Sequence, residues 1–281
     1  KAAWQEGATS NSANPNTGYG THITGSTTDQ VNGFDGTVTG NPSMYTFNNS
    51  TQAWVAIANT TGTFSNARTG YRLLIRGDRT PSLITTATTA NNLATTLRNT
   101  GSLATGTQTF TGLAINNGEY SLLGNPYWSP VDWTNVGVIK TNLNSNFWIW
   151  DPTMAGSNNR GAYVAAATGF IQPGQAFFVQ NNGGSGSLVF NESAKATTLT
   201  NSFRTSTTID GQITAKLYLE GNYSLQHMAD IATTIFSDNY SNNIGKEDAI
   251  KFTNPDENMS FSYEGSKLSI NGKKMPNSND T

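Results

Sequence analysis

Two aspartates of this sequence, Asp132 and Asp151, each lie beside a tryptophan and are the best candidates for the carboxyl pair of a site that cleaves glycosidic bonds. Such a site needs two carboxyl groups within about 10 Å of each other, facing one cleft. Glu119 is a third candidate for the pair. Aspartate is also favoured in turns, where its carboxylate accepts hydrogen bonds from the nearby backbone. We favour the turn interpretation, so the sequence predicts no catalytic residue and no enzyme.

Metal and nucleophile chemistry has little support in the sequence. The two histidines, His22 and His227, lie far apart, outside any zinc-binding motif, and there is no cysteine. No Gly-x-Ser-x-Gly motif for a serine nucleophile occurs. Residues 238–243, followed by Glu247 and Asp248, are rich in oxygen ligands but lack the spacing of an EF-hand. We therefore expect no cofactor, and the sequence leaves open only a structural calcium ion.

Aromatic side chains are the strongest candidates for a binding site. A loop at residues 124–133 contains two prolines, Pro126 and Pro130, which restrict its backbone. Large aromatic side chains on a rigid loop either fill a core or form a surface on which sugar rings stack. Both interpretations stay open. The candidate binding residues are Tyr127, Trp128, Trp133 and Trp148.

Composition limits the class of protein. The 281 residues carry a formal net charge of −2, which does not indicate a nucleic-acid partner. Charged residues are 12% of the chain, about half the usual share, and Thr, Ser, Asn and Gly take their place. No apolar run is long enough for a transmembrane helix. Together with the absence of cysteine, this composition is typical of exported bacterial β proteins.

Short extended segments separated by turn residues predict an all-β fold. Residues 44–47 and 54–57 read as a hairpin, residues 146–150 read as a strand, and residues 172–174 read as a turn. No long stretch has the periodicity of a helix. We expect a β-sandwich or jelly-roll-like domain over residues 1–200. A second, partial β-sandwich is expected over residues 201–281, with a hairpin turning at Glu264-Gly265 and a truncated C-terminus.

Several blocks of sequence, in order, resemble a family of proteins. These blocks are residues 3–7 (AWQEG), 18–25 (GYGTHITG), 70–79 (GYRLLIRGDR), 123–133 (LGNPYWSPVDW), 149–152 (IWDP), 174–179 (GQAFFV), 247–251 (EDAIK) and 268–272 (LSING). The set resembles a β-rich region near the C-terminus of large secreted and cell-surface proteins of Bacteroidota, which the type IX secretion system exports. Where this chain has Trp128, such proteins more often have a residue like proline, which predicts an exposed Trp128.

The resemblance implies a non-catalytic region located outside the cell or on the outer face of the outer membrane. Its implied partner is the type IX export machinery, and it supplies no catalytic residue. We therefore expect an adhesion or structural module that contacts glycans or other protein subunits, without nucleic-acid binding or a membrane span. The alternatives are a carbohydrate-binding accessory module of a secreted hydrolase and a secreted glycoside-active enzyme.

Overall fold

The structure is a computed structural model that describes residues 4–5, 20–61, 67–76, 79, 83, 97, 101–151, 161–197, 211–218, 228–238, 240–245, 247–254 and 257–276. The chain divides into two compact units, residues 1–104 and residues 105–281. Over the described ranges the regular elements are strands and two short 3₁₀ helices, Val31–Gly33 and Glu192–Ala194. The predicted all-β class is confirmed. None of the helices in these ranges could span a membrane.

The first unit contains five described strands. They are β1 (Thr24–Ser26), β2 (Asp35–Gly36), β3 (Met44–Asn48), β4 (Ala53–Ala56) and β5 (Arg72–Leu73). Strands β1 and β2 pair in parallel, and β3 pairs antiparallel with both β4 and β5. The hairpin predicted over residues 44–57 is thus confirmed. Its turn includes Gln52 with a φ of 51°, the left-handed conformation that a tight connection requires.

A buried carboxylate connects distant parts of the first unit. Asp35, only 4% exposed, accepts hydrogen bonds from the Ile23 amide at 2.8 Å and the Gln5 side-chain amide at 3.1 Å. Its other oxygen pairs with the Arg79 guanidinium at 2.5 Å. Beside this network Ile23 packs against Phe34 and Met44 in a small apolar core. Because every oxygen of Asp35 has a donor, the cost of burying its charge is offset.

The second unit contains fourteen described strands. The first nine are β6 (Gln108–Phe110), β7 (Tyr120–Gly124), β8 (Val131–Asp132), β9 (Val138–Thr141), β10 (Leu143–Asp151), β11 (Ala162–Ala166), β12 (Phe170–Ile171), β13 (Ala176–Asn181) and β14 (Ser187–Phe190). The other five are β15 (Gly211–Tyr218), β16 (Met228–Phe236), β17 (Ala249–Ile250), β18 (Phe261–Tyr263) and β19 (Ser266–Lys273).

These strands form four sheets. The central sheet has the order β11-β10-β13-β7, and a three-stranded sheet has the order β6-β14-β9. A third sheet has the order β15-β16-β19-β17, with β18 also pairing with β19, and a small ladder joins β12 and β8. All pairs are antiparallel except β16 with β19. The sandwich or jelly-roll-like arrangement of these sheets stays a prediction.

Two predicted turns have the backbone that their residues favour. Glu264 and Gly265 connect β18 to β19 with φ values of 47° and 80°, which suits the right-handed twist of a hairpin. Gly174 connects β12 to β13 with a φ of 67°. Both predictions are therefore confirmed.

One face of the central sheet is covered by aromatic rings of the three-stranded sheet. Phe177 of β13 lies 6.0 Å from Phe190 of β14 and 6.5 Å from Phe110 of β6, measured between ring centroids. Trp133, from the segment after β8, contacts Phe147 at 5.1 Å and Phe177 at 5.9 Å. All five rings are buried, so they form the main apolar core of the second unit.

The opposite face of the central sheet carries a second aromatic cluster. Alternation along the strands directs Trp148 of β10 and Phe178 of β13 to this side. Tyr120 of β7 lies 5.2 Å from Trp148. Phe252, which follows β17, contacts Tyr120 at 4.7 Å, Phe178 at 4.8 Å and Tyr163 at 4.4 Å. Phe252, which lies beyond the boundary predicted at residue 200, therefore completes this cluster.

The division between the two units lies at residue 104, whereas the sequence led us to expect a boundary between residues 200 and 201. Hydrogen bonds explain the difference. The Asn146 side chain donates to the Asp248 carbonyl at 3.0 Å, and the Asn254 side-chain oxygen accepts from the Tyr163 amide at 2.6 Å. The strands after residue 210 thus pack on the central sheet. The predicted boundary itself lies in residues outside the described ranges.

The packing of Phe252 predicts a measurable loss of stability. Phe252→Ala should lower the free energy of unfolding of the second unit by about 2–4 kcal/mol, because three aromatic neighbours lose their contacts. Urea denaturation followed by circular dichroism measures the change. Val136→Ala, at a residue 92% exposed, is the control and should change stability by less than about 0.5 kcal/mol. A loss at Phe252 as small as that of the control would contradict the described packing.

Candidate binding loop

The loop at residues 125–130 is held by the side chain of Asn125, which is buried. Its Nδ2 group lies within 3.0–3.1 Å of the carbonyl oxygens of Ser129, Ile171 and Gln172. Its Oδ1 atom accepts a hydrogen bond from the Tyr127 amide at 3.0 Å. One side chain thus forms hydrogen bonds with backbone groups of the loop and of the turn before β13. Asn125 is not among the residues predicted to have a functional role, although an asparagine directly before a proline is a turn signal.

Tyr127 is an anchor of the loop and not a ligand-binding residue. Its ring is 1% exposed, which contradicts its candidate role as a stacking surface. Its hydroxyl lies 2.6 Å from the Gly106 carbonyl oxygen and 2.8 Å from that of Phe190. The Lys195 ammonium lies 4.3 Å from the ring centroid. Burial, with a smaller contribution from the charge of Glu192, raises the pKa of the Tyr127 hydroxyl.

Trp133 is also buried, and its candidate role is corrected for the same reason. The indole is 0% exposed, and its N–H donates to the Ser145 carbonyl. The Lys140 ammonium lies 4.2 Å from the ring centroid and donates to the Trp133 carbonyl at 3.0 Å. With phenylalanine rings against it as well, the indole has no surface left for a sugar.

Trp148 lies on the other face of the central sheet from Trp133, so the two indoles cannot share a binding platform. It is 1% exposed and belongs to the cluster around Tyr120. Trp150, two residues along the same strand, contacts Tyr163 at 4.8 Å. The expectation that Trp148 binds a ligand is therefore wrong in this structure, because solvent does not reach the ring.

Trp128 alone of the four candidates is exposed, with 64% of its surface open to solvent. It lies between Tyr127, which is fixed in the core, and Ser129, whose carbonyl accepts from Asn125. The backbone on both sides of the indole is thus held in place. The structure presents one solvent-exposed aromatic side chain on a preorganised loop.

The carboxylates considered for glycoside cleavage serve the local backbone. Asp132 Oδ1 accepts hydrogen bonds from the Thr134 amide at 2.9 Å and from its hydroxyl at 2.7 Å, which is the predicted turn role. Glu119 accepts from the Asn116 amide and side chain at 3.2 and 2.8 Å. Asp151 differs from the expectation, because it is the last residue of β10, paired with Ala162, and is buried.

The oxygen-rich segment near residue 240 is also used by the backbone. Asp248 accepts from the amides of Gly245 at 2.7 Å and Gly272 at 2.9 Å, and Glu247 accepts from the Ser241 amide at 3.1 Å. Burial raises the pKa of Asp248, and the two amide hydrogen bonds oppose that shift. No group of three or more His, Cys, Asp or Glu side chains suited to a metal occurs in the described ranges. The structural calcium ion stays a prediction.

The stability of the loop should depend on Asn125. Asn125→Ala leaves buried carbonyl and amide groups without partners, so we expect the free energy of unfolding to decrease by about 2–4 kcal/mol. Urea denaturation measures this. Asn182→Ala, at an exposed asparagine, is the matched control and should have little effect. Equal effects of the two substitutions would contradict the anchoring role.

The environment of Lys140 predicts a pH dependence of stability. Burial lowers the pKa of Lys140 from 10.5 to about 8, and the nearby charge of Asp132 opposes the shift. Between these values the unfolded chain holds a proton that the folded chain has released, so this lysine makes unfolding less favourable as the pH rises. Below pH 8 the lysine is protonated in both states and adds no pH dependence.

The difference in unfolding free energy between the native chain and Lys140→Met should therefore increase from pH 8 to 10.5 and stay constant at lower pH. Denaturation curves at a series of pH values measure it. Parallel profiles of the two proteins over this window would disprove the lowered pKa.

Comparisons with known proteins add no relative. No protein-family model, no curated protein and no solved structure matches this chain.

Proposed function

We propose that this chain is a non-enzymatic, all-β region of an extracellular or cell-surface protein, acting in adhesion or as a structural module of a secreted assembly. The observation that carries the proposal is Trp128, an indole 64% exposed on a loop whose neighbouring residues are buried and hydrogen-bonded. The sequence blocks that resemble type IX-exported proteins support the cellular location and the export machinery as a partner.

An exposed tryptophan on a fixed backbone is well suited to binding. A large aromatic side chain buries much surface on contact and has few torsions to lose. When the loop is already ordered, the entropy cost of binding is also small. Trp128 thus supports contact with a glycan or with the surface of another subunit. Tryptophan is among the residues that most often dominate the energy of protein interfaces.

A strand edge offers a second means of assembly. Strand β15 is at one end of the order of its sheet, and within the described residues it pairs only with β16. Ile213 on this strand is 61% exposed. Eight residues with an open edge can add a strand from another chain by backbone hydrogen bonds. This favours a module of an assembly.

The second candidate function is a carbohydrate-binding accessory module of a secreted hydrolase. Trp128 favours it too, because one exposed indole can stack on a sugar ring. Burial of Trp133 and Trp148 removes the flat multi-aromatic platform that would have favoured it most. A glycoside-active enzyme has less support, because Asp132 and Glu119 are engaged in local turns.

Binding assays with variants of Trp128 test the proposal. The purified chain is run in affinity electrophoresis against a panel of soluble polysaccharides and in sedimentation for self-association. Trp128→Ala should weaken the binding that is found by about tenfold or more, and Trp128→Phe should retain most of it.

The variant Trp150→Ala is the control, because Trp150 packs against Tyr163 at the second aromatic cluster. It should leave binding unchanged. Binding to a glycan alone favours the accessory module, and self-association favours the assembly module. Absence of both kinds of binding, or equal binding by Trp128→Ala, would refute the proposal.

A further inference from the structure

Strand β15 is the first strand of a five-stranded sheet, in which β16 is its neighbour. Its pairing with β16 is regular from Gly211 to Leu217, and the register shifts between Leu217 and Tyr218. Within the described residues β15 pairs with no strand on its other side. An edge of this kind can form backbone hydrogen bonds with a strand of another chain.

The side chains of β15 give this edge little protection. Natural edge strands are often protected by prolines or by charged side chains. From Gly211 to Tyr218 the strand has no proline and one charged residue, Lys216. Ile213 is 61% exposed and lies on the same face of the strand as Ala215 and Leu217, because successive side chains alternate between faces. A partner strand with apolar side chains on this face would therefore bury Ile213.

A second copy of β15 can supply such a strand. In an antiparallel pair that continues one sheet, directly opposite side chains lie on the same face. If a two-fold axis relates the two copies, this axis therefore passes at a residue and not between two residues. An axis at Lys216 would place two ammonium groups opposite each other, which is unfavourable. An axis at Thr214 would place Ile213 opposite the small side chain of Ala215.

An axis at Ala215 gives the most favourable set of opposite pairs. Ile213 then lies opposite Leu217 of the second copy, and Leu217 lies opposite Ile213 of that copy. Thr214 and Lys216 are opposite each other, so two like charges do not meet. The small side chain of Ala215 lies opposite its own equivalent at the axis. This register buries the exposed isoleucine against an apolar side chain on both sides of the axis.

We propose that a second copy of this chain binds along β15, by antiparallel pairing about a two-fold axis at Ala215, and so joins two five-stranded sheets into one. The inference rests on the proposed role as a module of an assembly, for which it names the partner and the contact. A two-fold contact uses the same edge on both copies, so it closes at a dimer.

A single introduced cysteine reports this contact directly, because the chain has no cysteine of its own. At the axis the two Cα atoms of residue 215 would be about 4.5–5.5 Å apart, a separation that a disulfide spans. Ala215→Cys should therefore form a cross-linked dimer under mild oxidation, which non-reducing electrophoresis detects. Ile115→Cys, at an isoleucine 63% exposed in the same unit, is the control and should cross-link about tenfold or more slowly.

Charged substitutions at Thr214 test the register. Thr214→Glu places a carboxylate opposite Lys216 of the second copy, whereas Thr214→Lys places an ammonium group there. Both variants lose the same contact with the Thr233 hydroxyl at 3.2 Å, so the difference between them reports the new pair. In sedimentation equilibrium, Thr214→Glu should dimerise with a Kd about tenfold or more below that of Thr214→Lys, because each dimer contains two such pairs.

The apolar pair has its own test. Ile213→Asp should weaken the dimer about tenfold or more, because a carboxylate replaces the side chain opposite Leu217. Ile115→Asp is the matched control, since the two isoleucines are 61% and 63% exposed, and it should leave the dimer unchanged.

Three results would overturn the proposal: a native chain that stays monomeric at every concentration measured, Ala215→Cys that cross-links no faster than Ile115→Cys, or Thr214→Glu that dimerises more weakly than Thr214→Lys. Trp128→Ala should leave this dimer intact. A dimer that is lost in Ile213→Asp and kept in Trp128→Ala supports the β15 contact and counts against Trp128 in assembly. Glycan binding that is lost in Trp128→Ala while the chain stays monomeric supports the proposed function and overturns this contact.

Discussion

The need to cover both faces of the central sheet governs the second unit. Successive side chains of a strand point to opposite faces, so a strand that is apolar at every position requires a partner layer on each side. Residues 147–150 of strand β10 form such a stretch: Phe147 contacts Trp133 on one face, and Trp148 contacts Tyr120 on the other. The three-stranded sheet supplies one cover, and the segment containing Phe252 contributes to the other.

Local features of the fold could be predicted from the sequence, and non-local ones could not. The hairpin over residues 44–57 and the turn at Glu264-Gly265 depend on a few adjacent residues, so their patterns identify them. The joining of the segments before and after residue 200 into one unit depends on contacts such as that of Asn146 with Asp248, which are separated by 102 residues. A polar linker in the sequence does not show whether the segments on either side of it pack together.

The candidate site shows the same limit. Four aromatic residues were candidates by type, and the exposure predicted for Trp128 is confirmed. The burial of the other three could not be predicted, because it depends on which elements lie opposite each ring. Two arginines that follow β5 differ in a similar way. Arg79 is paired with buried Asp35, whereas the Nε of Arg76 has no acceptor. Nothing in residues 70–79 alone distinguishes their roles.

The layers that cover the two faces of the central sheet come from parts of the chain that are far apart in sequence, and this affects how the chain folds. The Tyr120 hydroxyl donates a hydrogen bond to the carbonyl of Ile250, 130 residues later in the chain, and the Tyr120 ring packs against Phe252. During synthesis, which begins at the N-terminus, the strands of the central sheet are therefore made before Phe252. Until Phe252 follows, one aromatic face of this sheet is open to water. Contacts this distant slow folding and expose surfaces that aggregate. Two conditions would protect this face: release of the complete second unit in one step, so that all its strands are available for folding together, or a chaperone that covers the face.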